Sequence, residues 1–343
     1  MRAGLDPPAV HRLGNGVRVL ADPLPGLESL AISVVIDAGS RGESPATSGW
    51  AHLLEHMVFK GAGARSAQEI VEAVEGEGGH VNAATGQERT SFQVRCLKDG
   101  LPLALEVLSD LVRRPTLLAE DLEREKDVVA QEIAEARDTP DDHVFELAQK
   151  EVFGDHPLGR PILGSVESLR PATAKDLRVF HEAHYAPGRM IVSAAGAVDP
   201  DELLRLSEAA FGAPAPAQPT REVETAAFRG GHAAEARKLE QSHLVLLLPA
   251  VSRKDPDYFA ASVFAEIFGG GMASRLFQEV REQRGLAYAI DAYLETYDDQ
   301  GVLGVYAGTA AGTAEAAARL AAEALKRLTE SALPGDLRRA KAQ

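Results

Sequence analysis

His52, Glu55 and His56 carry the most concentrated chemistry in the chain. On a helix of about 3.6 residues per turn, positions 52 and 56 stack on one face, and position 55 lies one turn from 52 on nearly the same face. Two imidazoles and a carboxylate therefore converge. That set suits a divalent metal held by two neutral His nitrogens, with a carboxylate beside it that can take a proton from water. The spacing is H-x-x-E-H, the reverse of the commoner H-E-x-x-H. The competing reading is an amphipathic helix whose His residues face other side chains.

A third ligand has to come from elsewhere. Residues Glu120 to Glu135 read as a helix of good helix formers without Gly or Pro. Glu125 and Glu132 are seven apart, two turns, so both carboxylates point the same way. Two His and one Glu would leave the fourth position of a tetrahedral site open for water, which separates a catalytic zinc from a structural one. Taken singly, two Glu in so acidic a helix are better explained as facing solvent.

The elements around these residues alternate. A hairpin spans Val10 to Asp22 about Gly14-Asn15-Gly16, and an apolar strand runs from Leu30 to Ala38. Ser66 and Glu69 form a capping box for a helix ending near Gly76, and a strand from His80 to Ala84 pairs with Thr90 to Leu97. Helices are expected over Leu101 to Arg113 and Glu120 to Glu135, then, after a break at Asp138-Thr139-Pro140, to Val152. Met190 to Val198 is a strand, Asp199 to Phe211 a helix, and Gly212 to Thr220 a Pro and Ala linker. The second half repeats the style, with strands Ser242 to Leu248, Leu286 to Glu295 and Val302 to Ala307. Helices are expected there over Asp255 to Phe268, Ser274 to Gln283 and Thr313 to Leu328. The fold class is α+β, with a domain over 1–212, a linker over 213–222 and a second domain over 223–343.

Bulk properties narrow the function classes. At 343 residues the chain is too long for one ordinary core, and a net charge of -15 argues against a nucleic-acid surface. Cys96 is the only cysteine, so no internal disulfide can form. The N-terminus lacks the charged start and apolar core of a secretory signal, and no run reaches membrane-span length. A cytoplasmic enzyme is the default expectation. Gly78-Gly79 is no phosphate loop, because no G-K-[ST] follows. His143 and His156 are expected to be structural or exposed, and His181 and His184 lack a third ligand.

The run GWAHLLEHMVFK, Gly49 to Lys60, resembles the metal-binding helix of the M16 (pitrilysin-like, inverzincin) metallopeptidases. GGHVNAATGQERT, Gly78 to Thr90, and LEREKDVVAQEIAE, Leu122 to Glu135, resemble segments that follow it in that family, and the likeness covers nearly the whole chain. It is nearest to bacterial single-unit peptidases similar to the mitochondrial processing peptidase beta subunit. The resemblance implies one zinc ion per chain, with His52, His56 and Glu132 as ligands and Glu55 as general base. Glu125 matches a supporting carboxylate and joins Glu55 as a catalytic candidate. It also implies that the strand carrying Asn82, Ala83 and Ala84 is a sheet edge lining the cleft, where a substrate peptide adds as an extra strand. Ala84 stands where relatives often carry an aromatic, which leaves side-chain preference there open.

GGGMASRLFQEVREQRGLAYAI, Gly269 to Ile290, resembles the family's second signature. By that match Arg281 and Tyr288 bind the substrate carbonyl at the scissile bond, and a cation and a phenol are suitable donors for a developing oxyanion. The implied fold is two related domains, each a mostly antiparallel sheet covered by helices, the second without the zinc motif. Its C-terminus is expected to be truncated, because relatives continue for roughly half a domain more. The resemblance further implies a zinc metalloendopeptidase acting on peptides or unfolded segments. It would work as a homodimer, or as a heterodimer with a second M16-like chain, with no nucleic acid and no membrane. The alternative is a non-catalytic M16-like subunit that binds peptides or scaffolds a complex.

Overall fold

Gly16, at a φ of +96°, turns the chain between β1 (Val10–Arg12) and β2 (Arg18–Pro23), which pair antiparallel with Val10 opposite Leu20. The computed structural model describes residues 9–214, 224–330 and 334–343. By contacts the chain forms two compact units, one of residues 1–133 with 161–223, the other of residues 134–160 with 224–343.

In the first unit, β3 (Ser29–Ile36) buries Leu30, Ile32, Val34 and Ile36 in strict alternation, the period of a strand with one face in a core. It leads into α1 (Trp50–Val58), the short pair β4 (Gly61–Ala62) and β5 (Arg65–Ser66), and α2 (Ala67–Glu75). Ser66 and Glu69 cap α2 reciprocally, as their spacing predicts. Then come β6 (His80–Thr85), β7 (Thr90–Leu97), α3 (Leu101–Arg113) and α4 (Ala119–Asp138), before the chain passes into α5 (Pro140–Phe153), which belongs to the second unit. After α6 (Val166–Leu169) and α7 (Ala174–His184), β8 (Met190–Gly196) and α8 (Pro200–Phe211) close the unit. The sheet order is β1-β2-β8-β3-β7-β6, antiparallel except where β2 meets β8, and β6 is an edge. Its core packs Ile32, Val34, Phe92 and Val94 with Leu105 and Leu108 of α3.

The second unit is the simpler of the two. β9 (Gln241–Ala250), α9 (Tyr258–Gly269), β10 (Ala287–Thr296) and β11 (Gly301–Ala310) give a three-stranded antiparallel sheet in the order β10-β11-β9. α10 (Ala314–Glu330) and α11 (Pro334–Ala340) follow. Phe268, Leu276, Val280 and Val305 are buried in one cluster with Ala317, Ala321 and Ala324 of α10. The helix expected from Ser274 is a π-helical turn over Phe277–Glu282. That wider turn keeps Val280 buried and lays the Arg281 guanidinium over the Phe277 ring at 4.6 Å.

Both sheets are mostly antiparallel and carry helices, so the α+β expectation is met. Sequence boundaries follow chain order, whereas contacts group α5 with the second unit. Val152 and Phe153 lie in an apolar cluster with Tyr297 and Val302, which anchors α5 there. From 215 on, the expected Pro and Ala linker lies outside the described residues. Among the described residues, no helix is long and apolar enough to cross a membrane.

Candidate metal centre

The rotation of α1 is set by what it buries. Leu53, Leu54, Met57 and Val58 are fully buried, each contributing about 2 kcal/mol of apolar transfer. His52, Glu55 and His56 are left half-buried on the remaining face. The start of the helix is fixed from three sides. Gly49 takes a left-handed φ of +87°, where a Cβ would lie 2.4 Å from the Leu163 carbonyl oxygen, so glycine is required. The buried Glu43 carboxylate accepts the amides of Gly49 at 2.8 Å and Ala51 at 2.6 Å, satisfying donors that no side-chain cap reaches. The Trp50 indole donates to the Ser168 carbonyl at 3.1 Å.

α4 brings Glu132 to this face. Its Oε2 lies 3.7 Å from His52 Nε2 and 3.5 Å from His56 Nε2. One ligand atom from each of the three residues falls within 4.8 Å of the others, the only such group of three or more His, Cys, Asp or Glu among the described residues. Burial, with His56 as a second cause, pushes His52 down to about 4, so its imidazole is neutral at physiological pH. His56 donates from Nδ1 to Glu125 Oε2 at 3.1 Å, which leaves the Nε2 lone pair facing Glu132. Glu125 is itself buried, and its other oxygen pairs with Lys60 Nζ at 2.8 Å. Two imidazole nitrogens and one carboxylate oxygen, converging within 4.8 Å, fit a divalent ion of the zinc type.

Glu55 stands beside this group without joining it. Its Oε2 accepts the Thr85 hydroxyl. Burial raises its pKa, opposed by hydrogen bonds from Thr85 and by His56, while Glu132 adds to the rise. A groove of about 390 Å³ runs from Glu55 and His56 along β6, lined also by Phe59, Lys60, Asn82 and Ala83. Ala84 is exposed on the same strand but does not line that groove. Arg281 and Tyr288 lie together in the second unit, the guanidinium 5.2 Å from the Tyr288 ring centre and the Tyr288 side chain 74% exposed.

His143, His156 and His181 have other partners. His143 meets Glu235 at 2.8 Å, His156 bonds the Glu224 carbonyl, and the buried His181 bonds the Val112 carbonyl at 2.8 Å. Cys96 is buried. Sequence reasoning missed Glu43, Lys60 and Thr85. Lys60 carries a signal, since it falls four residues after His56. Glu43 and Thr85 lie outside α1, so no spacing within the helix gives them.

Comparisons with known proteins agree along the chain. The profile of the insulinase family (peptidase family M16) matches residues 18–166, and that of the peptidase M16 inactive domain matches residues 171–343. An uncharacterized zinc protease of Streptomyces coelicolor is 37% identical over 332 residues, covering 94% of this chain and 72% of its own length. One from Rickettsia bellii is 37% identical over 335 residues, covering 97% of this chain and 81% of its own. Among solved structures, a protease from Helicobacter pylori superposes with a TM-score of 0.90 at 23% identity, over 99% of this chain and 84% of that one, which shows the shared fold.

Proposed function

Since the chain belongs to the M16 peptidase family, we propose that it is a zinc-dependent endopeptidase hydrolysing peptides or extended protein segments. The observation that carries this reading is the convergence of His52 and His56 Nε2 on Glu132 Oε2, with Glu55 one position from His56 on the same helix. His52, His56 and Glu132 would hold the ion. Bound there, zinc supplies Lewis acidity, which polarises a peptide carbonyl and brings the pKa of water toward about 7.

The chain's own residues do the rest. Glu55 takes the proton of the attacking water and hands it to the departing amine, a role in keeping with its raised pKa. Glu125, held by Lys60, fixes the ring of His56 so that Nε2 faces the ion. The free edge of β6 pairs with the substrate backbone through main-chain hydrogen bonds, and Asn82, Ala83 and Ala84 lie along it. This mode takes extended chains and rejects folded ones. Arg281 and Tyr288 donate to the oxyanion, and they do so for the zinc of a second M16-like chain, a copy or a partner. Their support is the family match and their adjacency.

The test is cleavage of an unstructured quenched-fluorescence peptide by the purified chain. Cleavage that a chelator stops and zinc restores is expected; cleavage that a chelator leaves untouched contradicts the proposal.

A further inference from the structure

The carboxylate read above as the base is not free to turn. Among the described residues, the hydrogen bond that the Glu55 carboxylate accepts comes from the Thr85 hydroxyl, to Oε2. Thr85 is the last residue of β6, the edge strand, and its own backbone is pinned from several sides. It pairs with the buried Thr90, whose hydroxyl donates to the Ala38 carbonyl at 2.9 Å. The following turn is closed by the Gly86 amide on the Arg89 carbonyl at 2.7 Å. That turn is stitched to the loop before α1 by Ser40 and Arg41 amides donating to the Gly86 and Gln87 carbonyls at 3.1 and 2.7 Å. Gly39 completes the contact, since a Cβ there would lie 2.3 Å from the Gly86 carbonyl oxygen. The hydroxyl is therefore delivered from a fixed backbone to a side chain with three rotatable bonds.

The geometry points to Thr85 as a positioning residue for Glu55, an assignment that deepens the peptidase reading and rests on it for its effect on rate. The hydroxyl occupies one lone pair of Oε2 and so holds the carboxylate in one orientation. One residue at the end of the edge strand thus sets the orientation of the base. A misplacement of about 1 Å in such a group costs on the order of a hundredfold in rate.

The test compares Thr85→Val, which keeps the shape and the amide but loses the hydroxyl, with Thr85→Ser, which restores the donor. Thr85→Val should lower kcat by roughly ten- to a hundredfold, with KM, zinc content and thermal midpoint unchanged. Thr85→Ser should recover most of the rate. Crystal structures of wild type and both variants give a second readout independent of activity: one Glu55 orientation in wild type and Thr85→Ser, several in Thr85→Val. The assignment is overturned if Thr85→Val turns over at the wild-type kcat, if Thr85→Ser is as slow as Thr85→Val, or if Glu55 keeps one orientation without the hydroxyl. A wild-type protein without chelator-sensitive cleavage overturns the peptidase reading instead, and the Glu55 orientations then decide the assignment alone.

Discussion

The two units carry one strand-and-helix frame with different contents. In the first, β3 runs into α1, and β7 lies between β3 and β6; in the second, β9 runs into α9, and β11 lies between β9 and β10. At the matching place, α1 reads WAHLLEHMV and α9 reads YFAASVFAEIFG, in which Glu266 is the only charged residue. α1 buries one face and exposes two His and a Glu on the other. α9 is apolar almost throughout and offers a single carboxylate and no imidazole. The frame therefore does not specify the chemistry; on the proposed reading, three side chains on one helix and one on α4 do.

The contrast breaks first at the ligands. His52→Ala should remove zinc from the protein and cleavage with it, while the second unit, which holds no comparable ligand group among its described residues, keeps its fold. Metal analysis after gel filtration checks this, and a full zinc complement would take His52 out of the ligand set. The second unit's contribution is next. Tyr288→Phe keeps the ring near Arg281 but removes the phenol, and should lower kcat by roughly 10²- to 10³-fold with zinc content unchanged. A wild-type kcat would leave the second unit without a donor role for Tyr288.

Smaller effects refine the first unit's side of the comparison. Glu125→Gln should weaken zinc by about 10- to 100-fold, read by competition with a chromophoric chelator; unchanged affinity would make Glu125 a packing residue only. The smallest effect is on stability. Burial lowers the pKa of His181, so below about 6.5 the unfolded chain takes up a proton that the folded chain resists. Unfolded molecules then bind more protons, and stability falls as pH drops through that region. Urea unfolding at pH 7.5 and 5.5 should show the loss, and His181→Gln should lessen it; an equal loss in the variant would place the acid sensitivity elsewhere.

What could be read in advance divides along the same line as range of interaction. The hairpin at Gly14 to Gly16, the Ser66 and Glu69 capping box, and the strand pair ending at Leu97 depend on neighbours in sequence, and each formed where periodicity and turn chemistry put it. His52, Glu55 and His56 were legible because one helix carries them. Glu132 needed the two-turn spacing from Glu125 and a family likeness, since no local rule says which Glu of α4 meets α1. Glu43 capping α1 from the preceding loop, and Thr85 holding Glu55 from the end of β6, were not legible, because both depend on how separate segments pack. The grouping of α5 with the second unit was hidden for the same reason: Phe153 finds Tyr297 across more than a hundred residues of chain.

In the proposed function α1, with Glu132, carries out metal-dependent hydrolysis with Glu55 as the base. The most direct measurement is the peptide-cleavage rate of Glu55→Gln at a verified zinc content. A wild-type zinc complement and a rate reduced by about 10²- to 10⁴-fold are expected. Zinc retained together with cleavage at the wild-type rate would contradict that function.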